Sequence, residues 1–329
     1  MKPPSRFNRI AVARARWSLA CLLVALAAAV VFARPAPAAD KLTVLLDWFV
    51  NPDHAPLVVA REAGFFQKHG LDVDLIAPAD ASSPPRLVAA GKADIGVTYQ
   101  PDLLLQVKEG LPLVRFGTLI GMPLNCLIVL ADSPIRKIAD LKGRKIGYSI
   151  PGFQEAYLAA MLASAGLTPS DVTLINLNFN LVSALRAGQV DAVVGGFRNF
   201  EPIELALGNQ PARLFLPEDY GVPPYDELIY VTARAMKDDP RLPRFLAAVK
   251  EATAYIAANP APALALFLKN HKDIDDELDR RSFADTWPRF ATDPAALDAA
   301  RYDRFAAFMK QRGLIDAVPA LDTYATGIK

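Results

Sequence analysis

A carboxylate, an indole, an amide and an imidazole stand within eight positions of one another, as Asp47, Trp48, Asn51 and His54. They follow the largely apolar run Leu42–Leu46, which predicts a buried strand. In open α/β sheets, ligands bind just outside the carboxyl ends of the strands. The segment therefore predicts half of a binding cleft. By itself it is equally compatible with a core Trp48 and an Asp47 that caps a helix.

The residues before this strand have the pattern of a secretory signal. Basic side chains come first, the apolar stretch Ser18–Ala33 follows, and Ala36-Pro37-Ala38 supplies the small residues that a signal peptidase reads. A stretch of this length is marginal for a membrane span. Cys21 lies near the start of the apolar stretch, which argues against a lipoprotein. We expect residues 1–38 to be a cleaved signal peptide.

The charge balance argues against a nucleic-acid partner. Six of the 36 basic residues and none of the 35 acidic residues lie in 1–38, which leaves 30 against 35 and a net charge of about −5. Such a chain lacks the basic surface that nucleic acids require. Only Cys126 remains after removal of the signal, so no internal disulfide can form. The remaining length favours two domains over one.

Short apolar strands alternate with helices along the chain, and a glycine often stands just after a helix. This alternation predicts an α/β fold with parallel sheets that are covered on both faces. The predicted strands after the first are Leu71–Ile76, Ala93–Val97, Lys145–Ser149, Val172–Leu177 and Val190–Val194, and the predicted helices are Pro56–Glu62, Pro85–Ala90 and Phe153–Ala165.

One unit occurs twice. The segment Ala90–Val97 is repeated as Ala187–Val194 at an offset of 97 residues, and both copies share the pattern A-G-x-x-D. Aromatic residues follow each copy, with Tyr99 after the first and Phe197 after the second. We expect two similar lobes whose strand ends and aromatic rings face one another across a cleft. A chance match between two ordinary helix–glycine–strand units is the alternative.

The chain resembles the substrate-binding proteins that supply thiamine-pyrimidine precursors to ABC importers, a family that also contains pyrimidine synthases. Part of the pattern is shared with sulfonate and nitrate receptors, whereas Asp47-Trp48 with His54 and Phe200-Glu201 point to the pyrimidine branch. The segments that carry the resemblance are Asp47–His54, Ala60–Val73, Ala90–Val97, Leu141–Tyr148 and Gly195–Glu201.

The resemblance implies a type II periplasmic binding fold, in which two α/β lobes are joined by two crossover strands. It places residues 39–131 and 228–329 in lobe 1 and residues 132–227 in lobe 2. The expected hinges are Leu130–Ser133 and Tyr225–Thr232. Cys126–Leu130 and Leu228–Val231 are the expected paired crossover strands, and Pro243–Ala258, Pro262–Lys269 and Asp293–Gln311 are the expected helices of the return to lobe 1.

A substituted aminopyrimidine offers two flat faces and an edge with an amino donor beside a ring nitrogen. Aromatic side chains can stack on the faces, and a carboxylate can bind the edge through two hydrogen bonds. On the basis of this resemblance, we expect the carboxylates of Asp47 and Glu201 to bind the amino edge of the ring. The stacking candidates are Trp48, Tyr99, Tyr148, Phe197 and Tyr225, and the further polar candidates are Asn51, His54, Asn125 and Asn199.

Two other readings stay open. Ser149 with Pro151-Gly152 before a helix could hold a phosphate or sulfonate, or it could be an ordinary cap. A synthase is disfavoured, because Thr98 and Asp102 stand where the enzymes of the family carry Lys and His, and the segment Gly221–Glu227 has no Cys. The chain shows no P-loop, Rossmann fingerprint or H-E-x-x-H motif.

We therefore expect a monomeric, non-enzymatic periplasmic receptor without cofactor, metal or catalytic residue. It would bind a small heteroaromatic ligand such as formylaminopyrimidine or hydroxymethylpyrimidine and deliver it to the permease and ATPase of an ABC importer in the inner membrane. The alternative ligands are riboflavin and an aromatic or sulfonated organic anion.

Overall fold

The computed structural model describes residues 39–327. The predicted signal peptide, residues 1–38, lies outside the described residues. Within the described part, none of the helices combines the length and the apolar character that crossing a lipid bilayer requires.

Two five-stranded sheets organise the described chain. The first has the strand order β2-β1-β3-β10-β4 and the second has the order β7-β6-β8-β5-β9. The strands of the first sheet are β1 (Asp40–Leu45), β2 (Leu71–Ile76), β3 (Ile95–Thr98), β4 (Leu113–Ile120) and β10 (Leu228–Ala233). Those of the second are β5 (Asn125–Leu130), β6 (Lys145–Tyr148), β7 (Thr173–Asn176), β8 (Ala192–Phe197) and β9 (Ala212–Phe215).

The two sheets have the same arrangement of strands, and the repeated sequence unit occupies the same position in each. The first copy of the repeated unit ends in β3 and the second ends in β8, and both strands are central in their sheets. The glycines that precede them, Gly91 and Gly188, both have φ +67°. This left-handed conformation closes a helix and suits a residue without a Cβ. Two similar α/β sheets agree with the expected fold.

The expectation of wholly parallel sheets is wrong. In the first sheet β10 runs antiparallel to β3 and β4, and in the second β5 runs antiparallel to β8 and β9. In each sheet, the antiparallel strand is the one that the chain reaches directly from the last strand of the other sheet. The alternation of strands and helices in the sequence does not indicate the direction of these two strands.

The expected crossover strands Cys126–Leu130 and Leu228–Val231 correspond to β5 and β10, the first strand after each passage between the sheets, and these two strands do not pair with each other. The strand β5 pairs with β8 and β9, whereas β10 pairs with β3 and β4. The chain passes from the first sheet to the second between Ile120 and Asn125, ahead of the predicted hinge at Leu130–Ser133. It returns between β9 and β10, a stretch that includes Tyr225. The strand β5 thus belongs to the second sheet, and the division of the chain into lobes at residue 131 stays a prediction.

Helices cover both sheets. The long helix Arg241–Ala258 packs against the helices Ala55–Glu62 and Phe65–Lys68 beside the first sheet, and its buried face includes Phe245 and Leu246. The predicted helix Asp293–Gln311 begins later than expected, and Glu277–Thr286 was not predicted as a helix. The α-helices are α1 (Ala55–Glu62), α2 (Phe65–Lys68), α3 (Pro84–Ala89), α4 (Gln100–Lys108), α5 (Phe153–Ser164), α6 (Leu181–Arg186), α7 (Glu201–Leu207), α8 (Arg241–Ala258), α9 (Pro260–Leu268), α10 (Glu277–Thr286) and α11 (Ala299–Gln311).

Candidate functional site

A cavity of about 240 Å³ lies at the carboxyl ends of β1, β3 and β8, where segments of both sheets meet. Residues that follow β1 form one wall, and the end of β8 with the start of α7 forms another. The helices α5, α6 and α10 each contribute one residue. The cavity is lined by Asp47, Trp48, Phe49, Val50, Asn51, Asp53, Tyr99, Ile150, Gln154, Leu181, Gly195, Phe197, Phe200, Glu201, Ile274 and Asp279.

Asp47 is held by two buried neighbours. His54 Nε2 lies 2.9 Å from Asp47 Oδ1, and Tyr99 donates its hydroxyl to Oδ2 over 2.7 Å. The Asn51 backbone N–H donates to His54 Nδ1 over 3.3 Å, so Nε2 is the ring nitrogen that carries the proton toward Asp47. Burial and the Asp47 charge hold the pKa of Tyr99 well above its usual range. Each oxygen of Asp47 thus has one partner within the protein, and each keeps a second lone pair that a ligand donor could reach from the cavity.

Aromatic rings from both sheets meet at the cavity. The Trp48 ring lies 4.4 Å from that of Phe179 at an interplanar angle of 76°, and the Phe49 ring lies 4.6 Å from Phe179. Deeper in the site, Tyr99 and Phe197 approach edge to face with centroids 6.3 Å apart. A planar ligand would meet flat apolar surfaces here, and such contacts contribute about 0.5–1.5 kcal/mol each beyond burial.

Three further acids line the cavity, and burial raises the pKa of each. The pKa of Asp53 rises to about 6, that of Asp279 to about 7 and that of Glu201 to about 8. Among the described residues, the lining contains no Lys, Arg or His. Such a wall favours neutral or cationic ligands that carry hydrogen-bond donors, because a buried anion would be surrounded by acids without a basic side chain to offset its charge.

Gln154 enters the cavity through a gap that only glycine provides. A Cβ built on Gly195 would lie 2.2 Å from the Gln154 side chain. Gln154 Oε1 accepts hydrogen bonds from the backbone N–H groups of Ser149 and Ile150 at 2.8 and 3.0 Å. The amide oxygen is thereby fixed, and the amide nitrogen is the end that remains for a ligand. The backbone N–H of Ser149, which an anion at this site would need, already donates to Gln154. This contact is an alternative explanation for the segment that was considered as an anion site.

Six of the predicted site residues come together in the lining and five do not. Of the five, His54 lies behind Asp47, and Tyr148 is partly exposed outside the lining. The side chains of Asn125, Asn199 and Tyr225 also lie outside the lining, where each bonds to another residue, and their roles as ligand contacts stay predictions. The six that line the cavity are Asp47, Trp48, Asn51, Tyr99, Phe197 and Glu201.

Asn125 and Tyr225 meet at Glu227, where the two crossings between the sheets run side by side. Glu227 Oε2 accepts hydrogen bonds from the backbone N–H of Leu124 at 2.5 Å and from the Tyr225 hydroxyl at 3.2 Å. The Asn125 amide donates to Glu227 Oε1. Burial raises the pKa of Glu227 to about 7. The group joins the two crossing segments and lies outside the cavity lining.

Asn199 joins parts of the two halves instead of facing the cavity. Its Nδ2 lies 2.7 Å from Asp53 Oδ1 and 2.7 Å from Thr286 Oγ1. All three residues are buried. The position of Asn199 after a strand suggested a ligand contact, but its amide nitrogen bonds to Asp53 and Thr286, which are distant in the sequence.

Sequence reasoning missed several lining residues. Phe49, Val50 and Asp53 lie within the segment that the sequence had singled out, and Phe200 precedes Glu201, so proximity could have found them. Gln154 and Asp279 come from helices α5 and α10, and no local pattern marks them. The described residues contain no group of three or more His, Cys, Asp or Glu side chains placed to hold a metal ion.

Several known proteins are similar to this chain. A protein of Haemophilus influenzae, named for thiamine biosynthesis, is 48% identical over 296 residues, which cover 90% of this chain and 94% of the relative. The formylaminopyrimidine-binding protein of Halalkalibacterium halodurans is 34% identical over 72% of this chain and 73% of its own length. The 4-amino-5-hydroxymethyl-2-methylpyrimidine phosphate synthase of Aspergillus parasiticus is 28% identical over 84% of each chain.

A solved structure agrees with the fold. The alkanesulfonate-binding protein SsuA of Xanthomonas axonopodis pv. citri, bound to MOPS, superposes with a TM-score of 0.70 at 18% identity and covers 89% of this chain and 99% of its own. The chain thus has the fold of the periplasmic binding proteins. A family model described as NMT1/THI5 like matches residues 51–263. The chain belongs to the NMT1/THI5-like family.

Proposed function

We propose that this chain is the periplasmic solute-binding component of an ABC importer and that its ligand is a thiamine pyrimidine precursor of the formylaminopyrimidine or hydroxymethylpyrimidine type. One observation carries the proposal. The cavity combines aromatic surfaces with four carboxyl groups, those of Asp47, Asp53, Glu201 and Asp279, and its described lining has no basic side chain.

Glu201 is the carboxyl group best placed for the amino edge of the ring. Its Oε2 accepts the Phe197 backbone N–H at 2.7 Å, which fixes the side chain at the cavity wall. The other oxygen has capacity for a ligand donor. Because burial raises its pKa to about 8, the group is a neutral acid at pH 7, able to donate to a ring nitrogen and to accept from the neighbouring amino group.

The same lining argues against the other ligand classes. A sulfonate or phosphate would be buried among acids with no cation to offset its charge. Arg198, the nearest basic residue in sequence to Glu201, is turned away, since it pairs with Glu218 at 2.5 Å. A Schiff-base enzyme would need a lysine at the cavity, whereas Thr98 is buried and bonds to Asp102.

The test is calorimetric titration of the secreted protein with formylaminopyrimidine, hydroxymethylpyrimidine, thiamine, riboflavin and taurine. We expect tight binding of at least one of the pyrimidines and none of taurine. Glu201→Ala should weaken that binding at least about tenfold, equivalent to about 1.4 kcal/mol. The control is Leu207→Ala, an exposed residue of the same helix outside the lining, which should leave the affinity unchanged. Tight binding of taurine without binding of a pyrimidine would refute the proposal.

A further inference from the structure

The turn between β7 and α6 carries an aromatic residue, Phe179, toward the other sheet. This turn is closed by a hydrogen bond from the Asn180 backbone N–H to the Leu177 carbonyl oxygen at 3.0 Å. Asn178 has φ +50°, a left-handed conformation that asparagine adopts more readily than most residues. The Ser149 hydroxyl donates to the Asn178 carbonyl oxygen. These contacts hold the backbone of the turn and thereby fix the point from which the Phe179 side chain extends.

The Phe179 ring packs against residues of the opposite sheet. Phe179 follows β7 of the second sheet, whereas its ring lies 4.4 Å from that of Trp48 and 4.6 Å from that of Phe49, which both follow β1 of the first sheet. The ring also packs against the apolar cluster that forms mainly around the first sheet. These contacts can exist only when the segments after β1 and β7 are close together.

The three rings connect the contact between the sheets to the cavity. Trp48 and Phe49 line the cavity, and Phe179 touches both of them from outside the described lining. Phe49 is 52% exposed even in this arrangement, and separation of the sheets would expose more of all three rings to water. Burial and ring packing therefore favour the closed arrangement. Because Trp48 contacts Phe179 and also lines the cavity, the orientation of its indole depends on Phe179.

We propose that Phe179 is a positioning residue that holds the Trp48 indole against the bound ligand and that must separate from Trp48 and Phe49 before the ligand can leave. This inference rests on the proposed function and goes beyond it, because it assigns control of ligand release to a residue outside the cavity lining. The ligand enters while the two sheets are apart and Phe179 has no contact with Trp48. Loss of the ring should therefore accelerate dissociation and leave association almost unchanged.

The test measures association and dissociation rate constants by stopped-flow fluorescence, and the probe is formylaminopyrimidine or hydroxymethylpyrimidine, whichever binds more tightly. A parent protein with Trp287→Phe keeps Trp48 as the only indole after residue 38, so the emission reports the surroundings of Trp48. The variants of Phe179 are Ala, Leu and Tyr, of which only Tyr keeps the ring. The matched control is Phe65→Ala, which removes another partly buried ring, one that packs on Tyr255 between helices α2 and α8.

We expect Phe179→Ala to raise the dissociation rate constant at least about tenfold, equivalent to about 1.4 kcal/mol, and to change the association rate constant less than about twofold. Phe179→Leu should give a smaller increase in the same direction, and Phe179→Tyr and the control should stay within about threefold of the parent. On ligand binding, the shift of the Trp48 emission to shorter wavelength should be smaller in Phe179→Ala, because the indole stays more hydrated.

Unchanged dissociation in Phe179→Ala and Phe179→Leu, with the pyrimidine still bound, would overturn the inference and leave the proposed function standing. The same conclusion would follow if Phe65→Ala accelerated dissociation equally, since that is the result of a general loss of stability. If the parent protein binds neither pyrimidine, the proposed function fails and the inference fails with it.

Discussion

The Asn199 amide nitrogen lies 2.7 Å from Asp53 Oδ1, and this hydrogen bond joins the segment after β8 to the segment after β1. Both residues are buried, and Thr286 of α10 accepts from the same nitrogen at 2.7 Å. Three separate parts of the chain therefore meet at one amide group beside the cavity. The bond can form only when the segments that carry Asp53 and Asn199 are close together.

This relationship predicts that Asn199→Ala favours an open arrangement of the two sheets. A hydrogen bond to a charged group contributes about 1.5–3 kcal/mol, so ligand affinity should fall by about ten- to a hundredfold as closure becomes less favourable. Small-angle scattering with saturating ligand should give a larger radius of gyration than for the wild type. Asn270→Ala, at an exposed position that bonds to Glu62, is the control. An unchanged affinity would show that the bond is incidental to closure.

The site could be predicted where chemistry follows directly from a strand end. The strand β2 has the predicted bounds, and Asp47, Trp48, Tyr99 and Phe197 lie at the ends of strands that the sequence indicated. The sequence does not indicate which residue a polar side chain will bond to in the folded protein. Asn199 had the right chemistry for a ligand, but the position of its partner Asp53 depends on tertiary packing.

The same limit applies to whole elements. The sequences of β5 and β10 indicate apolar strands, but their places, between β8 and β9 and between β3 and β4, depend on tertiary packing that no local pattern encodes. Asp279 lies in a highly charged helix whose sequence resembles an exposed surface helix. Its burial is caused by α7 and the segment after β1, which lie far away in the sequence.

Replacement of Trp48 should separate binding from folding. The ring is only partly buried and lies at the cavity, so Trp48→Ala should weaken binding by about 1–3 kcal/mol through lost burial and stacking. Phe245→Ala, in the core of the first sheet, should instead reduce the free energy of unfolding by about 3–5 kcal/mol. Titration calorimetry and urea unfolding give the two quantities. A Trp48 variant that does not fold would mean that the indole is a core residue.

The affinity for an uncharged aminopyrimidine should decrease above pH 8. Burial raises the pKa of Glu201 to about 8, so higher pH removes the proton that the acid would donate to the ring nitrogen. The expected loss is about tenfold for each pH unit above that pKa. Glu201→Gln keeps one donor and one acceptor and does not titrate, so it should bind within a few-fold of wild type at pH 7 and lose this decrease. A decrease that persists unchanged in the Gln variant would have to come from another group.

Glu227 should make the protein less stable as the pH rises from 5 to 8. Its pKa is raised from 4.5 to about 7 by burial, so between these values the folded state holds a proton that the unfolded state has released. Stability falls with pH wherever the folded state binds more protons. The stabilisation is fully present below the unfolded pKa and is lost as the pH rises through the folded one.

Glu227→Gln removes this titration while leaving an acceptor for the backbone N–H of Leu124 and the hydroxyl of Tyr225. Its free energy of unfolding, measured by urea denaturation at several pH values, should therefore decrease less steeply than that of the wild type between pH 5 and 8. The control, Glu251→Gln, changes a carboxylate whose pKa is lowered by Lys68 and His69, and it should not flatten the slope. Equal slopes in the wild type and the Glu227 variant would show that Glu227 is ionised in the folded protein throughout this range. The two crossings would then be joined by a buried charge instead of a neutral acid.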